Sequence, residues 1–219
     1  MQKLFLPLLL ATAVLAAPTH AAPSAAPSAT VASKPTPEPY VLQPQLSTLG
    51  WLAKKVTGQH NGTIQFQSGQ VLVKGSQIVG GTFVVDMASL KDEDLSGGMN
   101  EKLVGHLKSD DFFGVEKNPT ATFVITQVKA LKGDASGNNA TITGNLTIKG
   151  KTNPLSFPAQ VGVKNGVAAA SGTATIDRTK YDIRYRSKSF FESIGDKAIE
   201  DNFTLTFNVI AKADGVAQR

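Results

Sequence analysis

The 219-residue chain contains no cysteine. Disulfides are therefore excluded, and stability has to come from packing. A thiol nucleophile and a thiolate metal ligand are excluded as well, and no cysteine stands at a leader cleavage site to carry a lipid anchor. Histidine is scarce, three in all, and His20 falls in the leader region. That leaves His60 and His106, with neither His-x-His nor His-Glu-x-x-His spacing, so a metal site has no local signature. Building one would take both histidines together with Asp110, Asp111 or Glu116. The plainer expectation is no metal, with His60 in an Asn61-Gly62 turn and His106 orienting the loop after a short helix. Ser109 near His106 has no Gly-x-Ser-x-Gly elbow around it. Asp92, Glu93 and Asp94 form one run, expected as a solvated loop rather than a catalytic carboxylate pair. No phosphate-cradling glycine motif is present.

Charge of one sign is also missing. The formal net charge is +5, and the densest basic stretch, Arg178 to Lys188, is diluted by Asp177 and Asp182. Nucleic-acid binding calls for a basic patch interleaved with aromatics, so it is not expected; a solvated rim or weak attraction to anionic lipid headgroups fits better. Beyond the N-terminal region, no run is apolar enough to cross a bilayer roughly 30 Å thick.

At the start, Lys3 precedes an apolar run from Leu4 to Ala17 and then Thr19-His20-Ala21, with small residues where a signal peptidase reads. Residues 1–21 are expected to be a secretory signal peptide cut after Ala21. Residues 22–39 are mostly Ala, Pro, Ser and Thr with little to bury, which predicts an extended disordered linker. From Tyr40 to Arg219 remain roughly 180 residues, a common single-domain size.

Period-two alternation dominates this domain. Ile142, Leu146 and Ile148 share one face of Thr141–Ile148, and Phe203, Leu205, Phe207 and Val209 share another. Strands are predicted at 62–67, 70–74, 82–86, 121–128, 155–163, 167–176 and 181–185 as well. One greasy and one wet face per strand imply an antiparallel sheet. Asn61-Gly62 and Asn165-Gly166 are the favoured residue pair of a primed two-residue turn. Lys74-Gly75-Ser76 and Lys132–Asn139 read as connections, Gly80-Gly81 as a bulge, and Gly97-Gly98 as a flexible loop. Helix is limited to Asn100–Lys108, with Leu103, Val104 and Leu107 on one face and Asn100 as cap, plus a short turn over Ser189–Ile194. With no helical cover, an eight- or nine-stranded sheet must close into a barrel or stack as a sandwich; alternation alone does not separate the two, though hairpin connections throughout favour the barrel.

Greasy rather than catalytic content stands out. Phe112 and Phe113, between the short helix and a strand, are costly to leave in water and must fold against a core or a cavity mouth. With Trp51, Phe66, Phe83, Leu103, Leu107, Phe123, Phe157, Phe190, Phe191, Phe203 and Phe207 they would pack a core or line an apolar cavity too wide for side chains to fill.

Several motifs carry a resemblance, in order along the domain. They are Trp51–His60, Gly80–Asp86, His106–Phe113, Pro119–Phe123, Gly144–Gly150, Phe157-Pro158, Ile176–Arg178, Tyr181 and Gly195–Ile199. The chain resembles the YceI-like family of exported proteins. Gly114 departs from the pattern, since the family often has Asp or Asn there. The resemblance implies an antiparallel eight-stranded lipocalin-like barrel with one or two short helices, whose apolar tunnel holds a long isoprenoid lipid. It also implies a periplasmic location and no enzymatic activity or cofactor besides the lipid. The resulting expectation is a carrier of an amphipathic lipid. Its tail would lie among Trp51, Phe66, Phe83, Leu103, Leu107, Phe112, Phe113, Phe123, Phe190 and Phe207. Its head would lie near His106, Lys108 and Asp110, or near the basic residues around Tyr181. A lipid- or metal-dependent envelope enzyme, or a ligand-free adaptor, is the alternative; monomer and homodimer are both left open.

Overall fold

Nine strands and one helix make up the fold in the computed structural model, which describes residues 36–192 and 195–214. In chain order they are β1 (Glu38–Leu42), β2 (Thr48–Lys55), β3 (Gly58–Lys74), β4 (Gln77–Asp92), α1 (Gly97–Lys108), β5 (Thr120–Ala130), β6 (Ala140–Ile148), β7 (Lys151–Lys164), β8 (Val167–Asp177) and β9 (Ile199–Ala213). The expected signal peptide and most of the expected linker lie outside the described residues. All ladders are antiparallel, and each strand from β2 onward pairs with the next. The pairing of β2 with β9 closes the ring. β1 and β2 occupy a single slot: both lie between β3 and β9, β1 against Gln70–Val73 and β2 against Gly58–Thr63. A 3-10 turn at Pro44–Leu46 interrupts that slot. The wall therefore has eight strand positions and no free edge among the described residues, a barrel size whose interior side chains can fill or one small ligand can occupy.

Alternation maps onto this wall as expected. In β6, Ala140, Ile142, Gly144, Leu146 and Ile148 are all buried, and the residues between them are not. The Asn165-Gly166 hairpin is a primed turn, with φ of 51° and 73° at its two residues, and Lys149-Gly150 is a second at 50° and 71° that sequence reading missed.

Four expectations are corrected. Asn61-Gly62 is not a turn; it lies inside β3, and the tight turn is Val56-Thr57 between the paired residues Lys55 and Gly58. Segments 62–67 and 70–74 are one strand, irregular where Thr63 pairs Lys91 while Gln65 pairs Asp86. The β4 excursion this opens drives Met87 and Leu90 into the core. Residues 181–185 are not a strand. A 3-10 turn over Arg178–Tyr181 ends at Asp182 in the left-handed region, and Tyr181 and Ile183 are buried from an irregular segment that only mimics period two. Finally, α1 begins at Gly97, so Gly97-Gly98 belongs to the helix, and Ser96 rather than Asn100 is the N-cap. The turn expected at Ser189–Ile194 lies partly outside the described residues.

Two packed clusters fill the barrel ends. Tyr40, Leu42, Val71, Val73, Ile78 and Ala211 form one. Trp51, Met87, Leu90, Phe112, Tyr181 and Ile183 belong to the other, and Val104 and Leu107 of α1 pack against it.

Candidate functional site

Between these ends lies an apolar cavity of about 190 Å³. Among the described residues that border it, Trp51, Thr122, Arg178 and Glu200 alone carry polar side chains, and Glu200 is itself exposed to solvent. Trp51 spends its indole N–H on the Lys91 carbonyl at 3.0 Å. Arg178 is buried, and its guanidinium is consumed by backbone: Nε donates to Glu200 O (3.0 Å), Nη1 to Ile183 O (3.0 Å) and Nη2 to Ile199 O (3.1 Å). Burial lowers the pKa of this guanidinium, and the Asp201 and Asp177 carboxylates pull it back up. The interior thus presents hydrocarbon, with few polar groups free to bind anything. Phe123, Phe203, Leu205 and Phe207 line it and are only partly buried, as apolar walls around unfilled space must be.

Of the residues expected from sequence, Trp51, Phe66, Phe83, Leu107, Phe112, Phe113, Phe123 and Phe207 line this cavity. Three do not. Leu103 sits at the margin of the helix stripe, which is centred on Val104 with Asn100 and Leu107 a turn away on either side. Phe190 is 45% exposed, in a loop that turns outward, with the Arg184 guanidinium 4.5 Å from its ring centre. His106 packs edge-on against Phe112 (5.0 Å) and Tyr185 (4.7 Å), and its Nε2 contacts Asp111 Oδ2 at 3.0 Å. It clips α1 to the two loops that close this end of the barrel. The residues suggested for a lipid head are engaged locally: Lys108 Nζ donates to Ala88 O, and Lys117 pairs with Asp110.

The cavity residues picked from the sequence leave out the aliphatic part of the wall. Leu49, Ile64, Val85, Leu146, Ile176 and Leu205 are cavity-lining, and the inward positions of each alternating strand could have identified them. Gly114 is also explained. Its φ is 54°, a left-handed conformation that Gly tolerates best and Asn or Asp next, so the usual family residues and this glycine meet the same backbone demand.

The two histidines join different groups. His60 lies in β3, not in a turn, and its Nδ1 contacts Asp94 Oδ2 at 2.9 Å. Asp92, expected in a solvated run, is 7% exposed at the end of β4. Its burial, and then the neighbouring Asp94, push its carboxyl above the usual range. Asp94 also pays for desolvation, yet the Asn61 N–H and His60 hold it below that range.

A YceI-like domain model matches residues 40–211. A UPF0312 protein of Pseudomonas aeruginosa is 52% identical over 56 residues, 26% of this chain and 27% of that protein. A UPF0312 protein of Staphylococcus epidermidis is 37% identical over 93 residues, 39% of this chain and 49% of the relative. The chain therefore spans about a quarter to a half of the length of these curated relatives. Among solved structures, BcnA of Burkholderia cenocepacia superposes with TM-score 0.60 at 21% identity, covering 78% of this chain and 99% of that one. A polyisoprenoid binding domain from Saccharophagus degradans, implicated in plant cell wall breakdown, superposes with TM-score 0.55 at 13% identity, covering 80% and 98%. At these identities the likeness establishes a shared fold.

Proposed function

We propose that this protein, which belongs to the YceI-like family through residues 40–211, binds and carries an amphipathic lipid of the isoprenoid type, with the apolar chain inside the barrel. The observation that carries this reading is a closed wall whose inward rings, Phe123, Phe203 and Phe207, face unfilled apolar space. Each CH₂ buried there contributes about 0.8 kcal/mol. The ligand class follows the polyisoprenoid binding named for the Saccharophagus domain of the same fold. A binding role is supported by the apolar character of the lining, in which the guanidinium of Arg178 is already engaged by backbone carbonyls.

Size constrains the mode of binding. Pockets that hold drug-sized ligands measure roughly 300–1,000 Å³, and this cavity holds about 190 Å³. A long chain therefore enters as α1 and the Phe112-Phe113 loop yield, and the headgroup stays outside. With the leader-like N-terminus, the reading places the protein in the periplasm.

Solvent extraction and native mass spectrometry of freshly purified protein provide the test. An apolar lipid at near-stoichiometric amount is expected. Protein that carries no lipid and does not take up an apolar fluorescent probe would overturn the proposal.

A further inference from the structure

His60, Asp92 and Asp94 come from three places in the chain: the start of β3, the end of β4, and the connection to α1. One potential ligand atom from each lies within 4.8 Å of the other two. They are the one such trio among the described residues.

Asp92 sets this trio apart from an ordinary acidic loop. Its Oδ2 accepts from Leu95 N at 2.9 Å and from Asn100 Nδ2 at 3.0 Å. Its Oδ1 is buried and has no hydrogen-bond partner, and it is the one such side-chain atom among the described residues. A buried carboxylate oxygen left bare is destabilising, because it has given up water without gaining a partner. Here a second carboxylate stands close by, and a single imidazole faces them both. Asn100 Nδ2 also donates to Asp92 O and Leu95 O, which holds the Asp92 side chain and its loop in place without touching Oδ1.

We propose that His60 Nδ1, Asp92 Oδ1 and one Asp94 oxygen bind a divalent transition-metal ion of the zinc type, with water completing the coordination. One imidazole nitrogen and two carboxylate oxygens suit zinc better than calcium or magnesium, which take all-oxygen sets. Zinc–ligand distances of about 2.0–2.2 Å ask the three atoms, now within 4.8 Å of one another, to rearrange around the ion. The ion's charge balances the two carboxylates, and the bare oxygen gains its partner. Since Asp94 and Asn100 lie on the connection into α1 and on α1 itself, the ion would tie the helix that closes the barrel to the β3–β4 wall. This site does not depend on the lipid reading.

The test is calorimetric titration of zinc chloride into the untagged, chelator-stripped full chain, followed by thermal melting with and without zinc. Expected are one zinc per chain and a zinc-dependent rise in Tm. His60→Ala and Asp94→Asn change the more accessible members of the trio, so folding is expected to survive, and each should weaken zinc at least tenfold. Asn100→Ala, which removes the support of Asp92, should weaken it by roughly 10–100-fold. Absence of saturable binding at millimolar zinc would overturn the site. So would unchanged zinc affinity in a folded His60→Ala, Asp94→Asn double variant, since the metal would then sit elsewhere.

Discussion

The Trp51 indole N–H reaches across β3 to donate to the Lys91 carbonyl on β4 at 3.0 Å, tying together two strands that are not neighbours. It passes where Gly62 stands: Gly62 pairs with Trp51 on one side and Asp92 on the other. A Cβ on Gly62 would lie 1.9 Å from the Lys91 carbonyl oxygen. The missing side chain is what allows the long bond.

Gly62→Ala is therefore expected to be destabilising. The clash is with backbone, which cannot rotate away, so a loss at the upper end of the roughly 1–3 kcal/mol typical of overpacking is expected. The chain has a single tryptophan, so its emission should shift to the red as the Lys91 bond is lost. Gly50→Ala, whose Cβ would meet nothing nearer than 3.7 Å, is the control and should melt near wild type. Urea unfolding monitored by fluorescence measures both.

Filling the cavity should separate binding from folding. Ala174 is buried and lines the space. Ala174→Leu should keep or slightly raise the Tm and lower affinity for an apolar dye by about tenfold, since the added methylenes occupy ligand volume at about 0.8 kcal/mol each. Equilibrium dye titration reads the loss.

Loosening the clip at the barrel end should act on rates. His106→Ala removes two edge-to-face contacts worth roughly 0.5–1.5 kcal/mol each. Faster dye release with a smaller change in equilibrium affinity is expected in stopped-flow displacement.

Arg178→Ala would leave the carbonyls of Ile183, Ile199 and Glu200 without their donor, and a loss of roughly 3–5 kcal/mol is expected by analogy with broken buried charge networks. Arg178→Lys should rescue little, because a point ammonium cannot span three carbonyls as the planar fork does. Chemical denaturation of both variants checks this.

Alkaline stability should report Tyr181. Burial, and then Asp177, push its phenol up to about 12. A phenol that holds its proton more tightly folded than unfolded contributes stability in full below its ordinary pKa of about 10. That contribution declines as pH rises and is lost by the folded value. Stability should therefore fall between about pH 10 and 12, and Tyr181→Phe should flatten this part of the profile in urea melts taken across the range.

Much of the wall was legible in the chain. A strand has a period of two, so Ile142, Leu146 and Ile148, or Phe203 and Phe207, declare a shared face whichever strands lie beside them. Asn165-Gly166 declared its turn for an equally local reason, the positive φ its two residues accept. Asn61-Gly62 carries the same letters and makes no turn. What governs it is the backbone of Lys91, about thirty residues on, which leaves no room for a side chain. Tyr181 and Ile183 alternate like a strand, but Arg178 and Asp182 bend them into a turn. Phe190 is as greasy as Phe207, and only the path of its loop puts it outside. The convergence of His60, Asp92 and Asp94 follows from the β3–β4 register and has no trace in spacing. Which face of each strand turns away from water is written in side-chain order, because hydration acts residue by residue. Which residues meet across the barrel depends on ring closure and register, which no local pattern encodes.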